Sequence, residues 1–275
     1  MPVFVSKFGG TSLSDGERFQ NVFNIVRENP GRQLIVLSAP GKRGKGDSKI
    51  TDLLLKCEED KDRNVFSRIR KRFMEISECT GVSIKEALDE AEEAIFSGAS
   101  RAYCASRGEY LSALIFSGMS GFSFLDARNA VFFQNGKIDE DKTKNAIEAA
   151  FRMQNRLVIP GFYGSDEDGS IRLFPRGGSD TTGAIAAFSI SADAYENWTD
   201  VDGMFGKDPN LHQNQTPIFS LSYDEAERIL KGGAAVLHPD CLYWARKKGT
   251  PILIKNSFRP SVPGTRIGGE AMNGG

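Results

Sequence analysis

Residues 3–41 read VFVSKFGGTSLSDGERFQNVFNIVRENPGRQLIVLSAPG, and this stretch decides the fold. Val3-Phe4-Val5 is a short β-rich apolar run that Gly9-Gly10-Thr11-Ser12 terminates. Phe19, Val22, Phe23 and Val26 then recur at helical spacing, which makes one buried helix face. Gln33-Leu34-Ile35-Val36-Leu37 is a second strand, stopped by Ser38-Ala39-Pro40-Gly41. Strand, polar turn, helix and strand in that order build a parallel sheet covered by helices.

The pattern continues outward. Residues 41–50 (GKRGKGDSKI) are too polar and Gly-rich for a regular element and read as a mobile loop. A helical section spans about 50 to 120, and its basic cluster Arg68, Arg70, Lys71 and Arg72 reads as a solvated helix face. Strands resume at Phe122–Leu125 and Arg156–Ile159. Asp166-Glu167-Asp168-Gly169 between two apolar runs signals a hairpin. Ser179 to Ile190 reads as a helix capped by Ser179 or Asp180. A strand at 193–198, helices at 222–231 and 239–248, and a strand at 251–255 complete the series. The expected class is therefore α/β, a three-layer α/β/α sandwich around a mainly parallel central sheet. The ending GGEAMNGG has no periodicity and reads as a frayed tail.

Composition narrows the function. A chain of 275 residues has room for one large or two small domains. Lys+Arg 35 against Asp+Glu 36 leaves a net charge of -1, so no global basic field recruits nucleic acid or an anionic membrane. The 4 cysteines are scattered and never form C-x-x-C, which points to a reduced, cytoplasmic chain and not to a disulfide framework or a zinc module. No signal peptide and no run of 18 apolar residues is read. Asn197-Trp198-Thr199 matches a glycosylation sequon, a match read as chance.

Four strand-to-helix junctions are rich in Gly, Ser, Thr and charge: Lys7–Ser12, Ser38–Gly41, Arg176–Asp180 and Thr199–Gly203. In this sheet class ligands gather at the C-terminal strand ends. Glycines there let backbone N–H groups approach an anion, and a following helix N-terminus adds positive potential. Neither the P-loop pattern nor G-x-G-x-x-G is present, and no H-E-x-x-H or G-x-S-x-G occurs. His238 before Pro239 reads as structural.

The order of these segments resembles the aspartate kinases. Lys7-Phe8-Gly9-Gly10-Thr11-Ser12 is similar to their K-F-G-G-T/S-S opening, and Ile50-Thr51-Asp52-Leu53-Leu54 to their I-T-N/D-x-L segment. Gly108-Glu109-Tyr110-Leu111-Ser112 resembles G-E-x-x-S, and Pro160-Gly161-Phe162 the P/Q-G-F turn. Arg176-Gly177-Gly178-Ser179-Asp180 is similar to G-R-G-G-S-D, with Pro175 where Gly is usual. Trp198–Gly203 with Asp208-Pro209, and Val236-Leu237-His238-Pro239, complete seven ordered matches from residue 4 to about 268. The resemblance implies the amino-acid kinase fold over residues 1–268. An acceptor lobe would span about 1–175 and an ATP lobe about 176–268, followed by a flexible tail at 269–275.

It also implies a reaction, ATP-dependent phosphorylation of the L-aspartate β-carboxylate, the first step towards lysine, threonine and methionine. Lys7 and Asp180 become the catalytic candidates, with Gly9 and Gly10 donating backbone N–H groups. Thr51, Glu109, Phe162, Arg176 and Ser179 become the aspartate pocket, Arg176 for the α-carboxylate and Glu109 with Asp180 for the ammonium. Lys7, Gly9, Gly10, Thr199, Asp200, Phe205, Lys207, Asn210 and Ala235 become the ATP side, with Mg2+ held by phosphates and water. A homodimer is expected.

Three residues depart from the family pattern. Ala235 stands where lysine is usual, Asn210 where arginine is common and Phe205 where tyrosine is usual. The family usually continues into paired ACT regulatory domains, whereas this sequence stops at Gly275. A related kinase acting on another carboxylate or phosphate acceptor, or a nucleotide- or amino-acid-binding pseudokinase, are the alternatives.

Overall fold

The structure, a computed structural model, describes residues 1–175, 177–205, 216–233 and 236–269. The chain opens with strand β1 (Phe4–Phe8), a 3-10 turn at Gly10–Leu13, helix α1 (Gly16–Glu28) and strand β2 (Arg32–Leu37). Four helices follow: α2 (Ile50–Asp60), α3 (Arg63–Thr80), α4 (Lys85–Phe96) and α5 (Arg101–Ser120). Then come β3 (Ser123–Phe124), the small hairpin β4 (Phe133–Gln134) and β5 (Lys137–Ile138), α6 (Glu140–Gln154) and β6 (Leu157–Pro160). The hairpin β7 (Tyr163–Ser165) and β8 (Ile171–Leu173) leads into α7 (Gly178–Ser189) and β9 (Ala194–Thr199). The chain finishes with β10 (Ser220–Leu221), α8 (Tyr223–Lys231), α9 (Asp240–Lys248), β11 (Ile252–Asn256) and β12 (Thr265–Ile267).

Eight strands form one sheet in the order β10-β12-β11-β9-β1-β2-β6-β3. From β11 to β3 every neighbouring pair is parallel. β12 runs antiparallel to β11, with β10 parallel to β12, so the sheet has one reversed edge. Alternate residues of each central strand serve opposite cores, because a parallel sheet is covered on both faces. Val5, Leu34, Val36, Ile159, Tyr195 and Ile254 pack with α6, α7, α8 and α9. Phe8, Ile35, Leu37, Val158 and Trp198 pack with α1 to α5. This is the three-layer sandwich that the sequence leads one to expect.

Three readings change. Ser179 and Asp180 do not cap α7; the N-cap is Gly177, left-handed at φ 57°, and both polar residues lie inside the first turn. A side chain at 177 would drive a Cβ to within 2.4 Å of the His238 ring, so glycine is needed here for space as well as conformation. The basic cluster on α3 is not uniformly solvated either. Arg72 is only 4% exposed and grips both carboxylate oxygens of Asp47 at 2.7 and 2.6 Å. The 41–50 loop, read as mobile, is therefore tied to a buried side chain. Asn197 is fully buried in β9, which agrees with reading its sequon as chance.

Tail residues 270–275 fall outside the described residues. No described helix is long and apolar enough to cross a membrane. All four cysteines are free.

Candidate active site

Strand register brings three of the Gly-rich junctions, those after β1, β2 and β9, to one edge, and the Lys7–Asp180 ion pair sets the start of α7 beside them. Phe8 pairs with Leu37 and with Trp198, Leu37 with Pro160, and Thr199 with Asn256. Because these strands are parallel, their C-terminal ends finish level, and the chain leaves all of them into loops on the same side of the sheet.

Lys7 is the penultimate residue of β1, and alternation points it toward α7 while Ser6 and Phe8 face the other core. Its Nζ lies 2.6 Å from Asp180 Oδ1 and donates to Asn197 Oδ1 at 3.3 Å. The second Asp180 oxygen accepts the His238 backbone N–H at 3.1 Å. Asp180 sits in the first turn of α7, where the helix dipole favours a negative charge. His238 thus takes the structural part that the sequence assigns it.

The turn after β1 is packed backbone against backbone. A Cβ on Gly10 would come within 2.8 Å of the Ala39 carbonyl, and one on Gly41 within 2.7 Å of Gly10. The Gly41 N–H donates to the Gly10 carbonyl at 2.8 Å. Gly9, expected to donate to the phosphate, instead gives its N–H to the Trp198 carbonyl at 3.1 Å, because parallel pairing of β1 with β9 runs on to it. The 3-10 turn begins at Gly10, and the first N–H groups of such a turn have no acceptor within it. They are the amides this corner offers to an anion.

Gly108 lets α5 close on this loop: a Cβ there would meet the Ala39 side chain at 2.5 Å and Ile50 at 3.3 Å. The next residue, Glu109, is thereby carried to the loop that leads into Thr51, the second residue of α2. Glu109 is 5% exposed, and its Oε2 is buried without a hydrogen-bond partner. Burial pushes its carboxyl up to about 8, against the opposing pull of the Ala39 and Glu109 backbone amides and of Arg107. A buried carboxyl with one unpartnered oxygen is suited to receiving a cation.

Phe162 and Ser179 close the far side. Phe162 has φ +78°, a strained value for a bulky residue, and its N–H donates to Thr182 Oγ1 on α7 at 3.3 Å. A Cβ on Gly178 would lie 2.8 Å from the Phe162 Cα, and one on Gly161 2.6 Å from Ser179 Oγ. The P-G-F turn and the start of α7 are in direct contact, and this fixes Ser179 beside Asp180.

On the β9 side, the Thr199 carbonyl accepts from the Ser257 N–H at 2.8 Å and from Ser257 Oγ at 3.1 Å. Ser257 Oγ also lies 2.7 Å from Ser12 Oγ, so one buried hydroxyl joins the turn after β1 to the turn after β9. Asp200 is exposed, accepts the Thr199 hydroxyl at 3.3 Å, and is followed by Asp202, which Asn256 Nδ2 holds at 2.7 Å. Phe205 is half-buried. Arg176, Lys207, Asn210 and Ala235 lie outside the described residues.

The structure therefore gathers Lys7, Gly9, Gly10, Thr51, Glu109, Phe162, Ser179 and Asp180 around three neighbouring strand ends, with Thr199 and Asp200 at the fourth. Sequence reasoning missed Asn197 and Ser257. Asn197 was visible only as a sequon, and Ser257 only as the residue that follows the last parallel strand.

Comparison with known proteins gives a consistent pattern. The sequence model described as the amino acid kinase family matches residues 2–256. The chain is 31% identical to aspartokinase 3 of Bacillus subtilis, covering 96% of this chain and 63% of that protein. It is 29% identical to chloroplastic aspartokinase 1 of Arabidopsis thaliana, covering 51% of that protein. The chain thus spans about half to two-thirds of the length of these relatives. Among solved structures, Clostridium acetobutylicum aspartate kinase matches 100% of this chain and 64% of its own at a TM-score of 0.91 and 39% identity. E. coli aspartokinase III in complex with aspartate and ADP matches 98% of this chain and 65% of its own, at a TM-score of 0.85 and 26% identity.

Proposed function

This chain belongs to the amino acid kinase family, and from that premise we propose that it transfers the γ-phosphoryl group of ATP to the β-carboxylate of L-aspartate, giving 4-phospho-L-aspartate. The observation that supports this reading best is the pairing of two unlike features at one sheet edge. A lysine stands beside the first amides of the turn after β1, and a buried carboxyl with one unpartnered oxygen stands where α5 packs on the loop after β2.

A carboxylate is already a nucleophile, so the reaction needs no general base. What it needs is in-line placement and neutralisation of charge on the transferring group. Lys7 supplies the positive charge, and the amide of Gly10 supplies a dipole that does not reorganise during the reaction. Asp180 holds the Lys7 ammonium in place from the α7 N-terminus. Glu109 would take the substrate ammonium, Arg176 its α-carboxylate, and Thr51, Phe162 and Ser179 would shape the pocket. Thr199, Asp200 and Phe205, with Lys207, Asn210 and Ala235, would line the nucleotide. Mg2+ would arrive on the ATP, held by phosphates and water, with Asp200 the exposed acid at the end of β9, and would neutralise phosphate charge. Residues up to about 175 would form the acceptor lobe and those from 176 to 268 the nucleotide lobe, with Lys7 and Gly10 reaching the phosphates from the first and Arg176 and Ser179 reaching aspartate from the second. The working unit is a homodimer in the cytoplasm.

Trapping the acyl phosphate with hydroxylamine tests the reading, with aspartate, glutamate and a panel of other acceptors run side by side. ATP-dependent hydroxamate formation with aspartate and not glutamate is the expected result. Turnover of a different acceptor alone, or nucleotide binding without any turnover, would replace it with another kinase activity or a pseudokinase.

A further inference from the structure

The buried arginine of α3 makes contacts that the proposed chemistry does not use, and they converge on the phosphate-binding turn from behind. Arg72 Nη1 donates to the Gly41 carbonyl at 3.2 Å and to the Ser14 carbonyl at 3.3 Å. Its Nη2 donates to both oxygens of Asp47 at 2.7 and 2.6 Å. One guanidinium therefore joins the chain just after the 3-10 turn, the start of the 41–47 loop and the end of that loop. Arg43 closes the loop from within, its backbone N–H donating to Asp47 at 2.9 Å. Its side chain reaches Glu75, one helical turn from Arg72, also at 2.9 Å.

Gly41 is the part of the loop that touches the site. Its N–H holds the Gly10 carbonyl, and no side chain fits between the two residues. A planar fork with its donors in fixed directions can brace two carbonyls and a carboxylate at once, which an ammonium cannot. Asp47 is held ionised: burial raises its carboxyl, but the Arg43 and Ser48 amides with the Arg72 and Arg43 guanidinium groups bring it down to about 2.

We propose that Arg72 is a positioning residue for phosphoryl transfer: through Asp47, Gly41 and Ser14 it fixes the 41–47 loop against Gly10 and so holds the turn that receives the ATP phosphates. It touches neither substrate, and its effect runs through the Gly41–Gly10 contact. The proposal rests on the kinase reading for its meaning, but nucleotide affinity reads it without turnover.

The test uses the whole chain with Asp47→Asn, which keeps the shape and drops the charge, and Arg72→Lys, which keeps the charge and loses the fork. Both are titrated with MgATP and with aspartate alone, and hydrogen exchange is followed along the backbone. The expected result is MgATP binding weakened about tenfold, the scale of one charge-assisted contact. Exchange should quicken most at residues 9–14 and 38–48, with aspartate binding nearly unchanged and the thermal midpoint lowered but the fold kept, because each variant weakens a buried ion pair. Unaltered ATP affinity and unaltered exchange at 9–14 in a folded variant would overturn the proposal. So would unfolding of both variants, or a general rise in exchange, since Arg72 would then serve stability alone. A wild-type chain that binds MgATP but phosphorylates no aspartate removes the functional reading and leaves Arg72 to be decided by the same titrations.

Discussion

Ser6 and Lys7 are neighbours on one strand, and they enter two buried ionic networks of opposite character. Ser6 faces the α1–α5 core, where Glu196 accepts its hydroxyl at 2.7 Å, the Arg32 guanidinium at 2.8 and 3.1 Å, and Trp198 Nε1 at 3.0 Å. Both carboxylate oxygens of Glu196 have partners, and Arg32 also stacks over the Trp198 ring. Lys7 faces the other way, into a network that is left open. Asn197 Nδ2 is buried there without a partner, and on the other side of the sheet, on α5, so is Glu109 Oε2. Burying polar groups unpaired is unfavourable, so unpaired atoms beside the strand ends gain from a ligand that pairs them. The closed network ties strands together. The open one has valences that a ligand can fill.

The difference can be broken by mutation. Arg32→Ala has the largest expected effect, a loss of about 3–5 kcal/mol of stability, because Glu196 is left as a buried charge without its main partner. Denaturant unfolding measures it, and any activity retained by the folded fraction should be near normal. Lys7→Ala inverts that profile. It should lower kcat roughly 10²–10³-fold, the usual cost of removing a preorganised charge contact. Stability should fall less than in Arg32→Ala, since Asp180 keeps the helix N-terminus and the His238 amide. Near-normal turnover by a folded Lys7→Ala protein would remove the lysine from the mechanism. Ser6→Ala, one residue away, is the smallest change. It takes one donor from a carboxylate that has others and should cost about 1.5–3 kcal/mol of stability with unaltered kcat.

Much of this was legible in the sequence. The β1 turn, α1 and β2 carry their periodicity in a single stretch, and strands alternate with helices along the chain, so the sandwich and its parallel core followed directly. The reversed edge did not, because β10 and β12 are two and three residues long and have no period to read. α7 was placed correctly but capped wrongly: Ser179 and Asp180 have the chemistry of caps, yet contact with Gly161 and Lys7 draws them into the first turn. Arg72 was hidden for a similar reason. On α3 it is one of several basic residues, and its burial depends on Asp47 being brought back to it by a loop whose composition reads as unstructured. Local pattern reports which face of an element is apolar, but it does not report which polar residue tertiary contact will bury.

Glu109 offers the most direct test, because an open valence should change its protonation when it is filled. Burial pushes its carboxyl up to about 8, which favours the protonated form at pH 7. A substrate ammonium placed against it favours the carboxylate, and the proton must leave. Calorimetric titration of aspartate into the protein at pH 7, in two buffers of different ionisation enthalpy, counts that proton. Release of up to one proton by the wild type, and none by a Glu109→Gln protein that binds aspartate more weakly, is the expected result. Aspartate binding without proton release in the wild type would contradict the assignment and leave the buried carboxyl without a ligand.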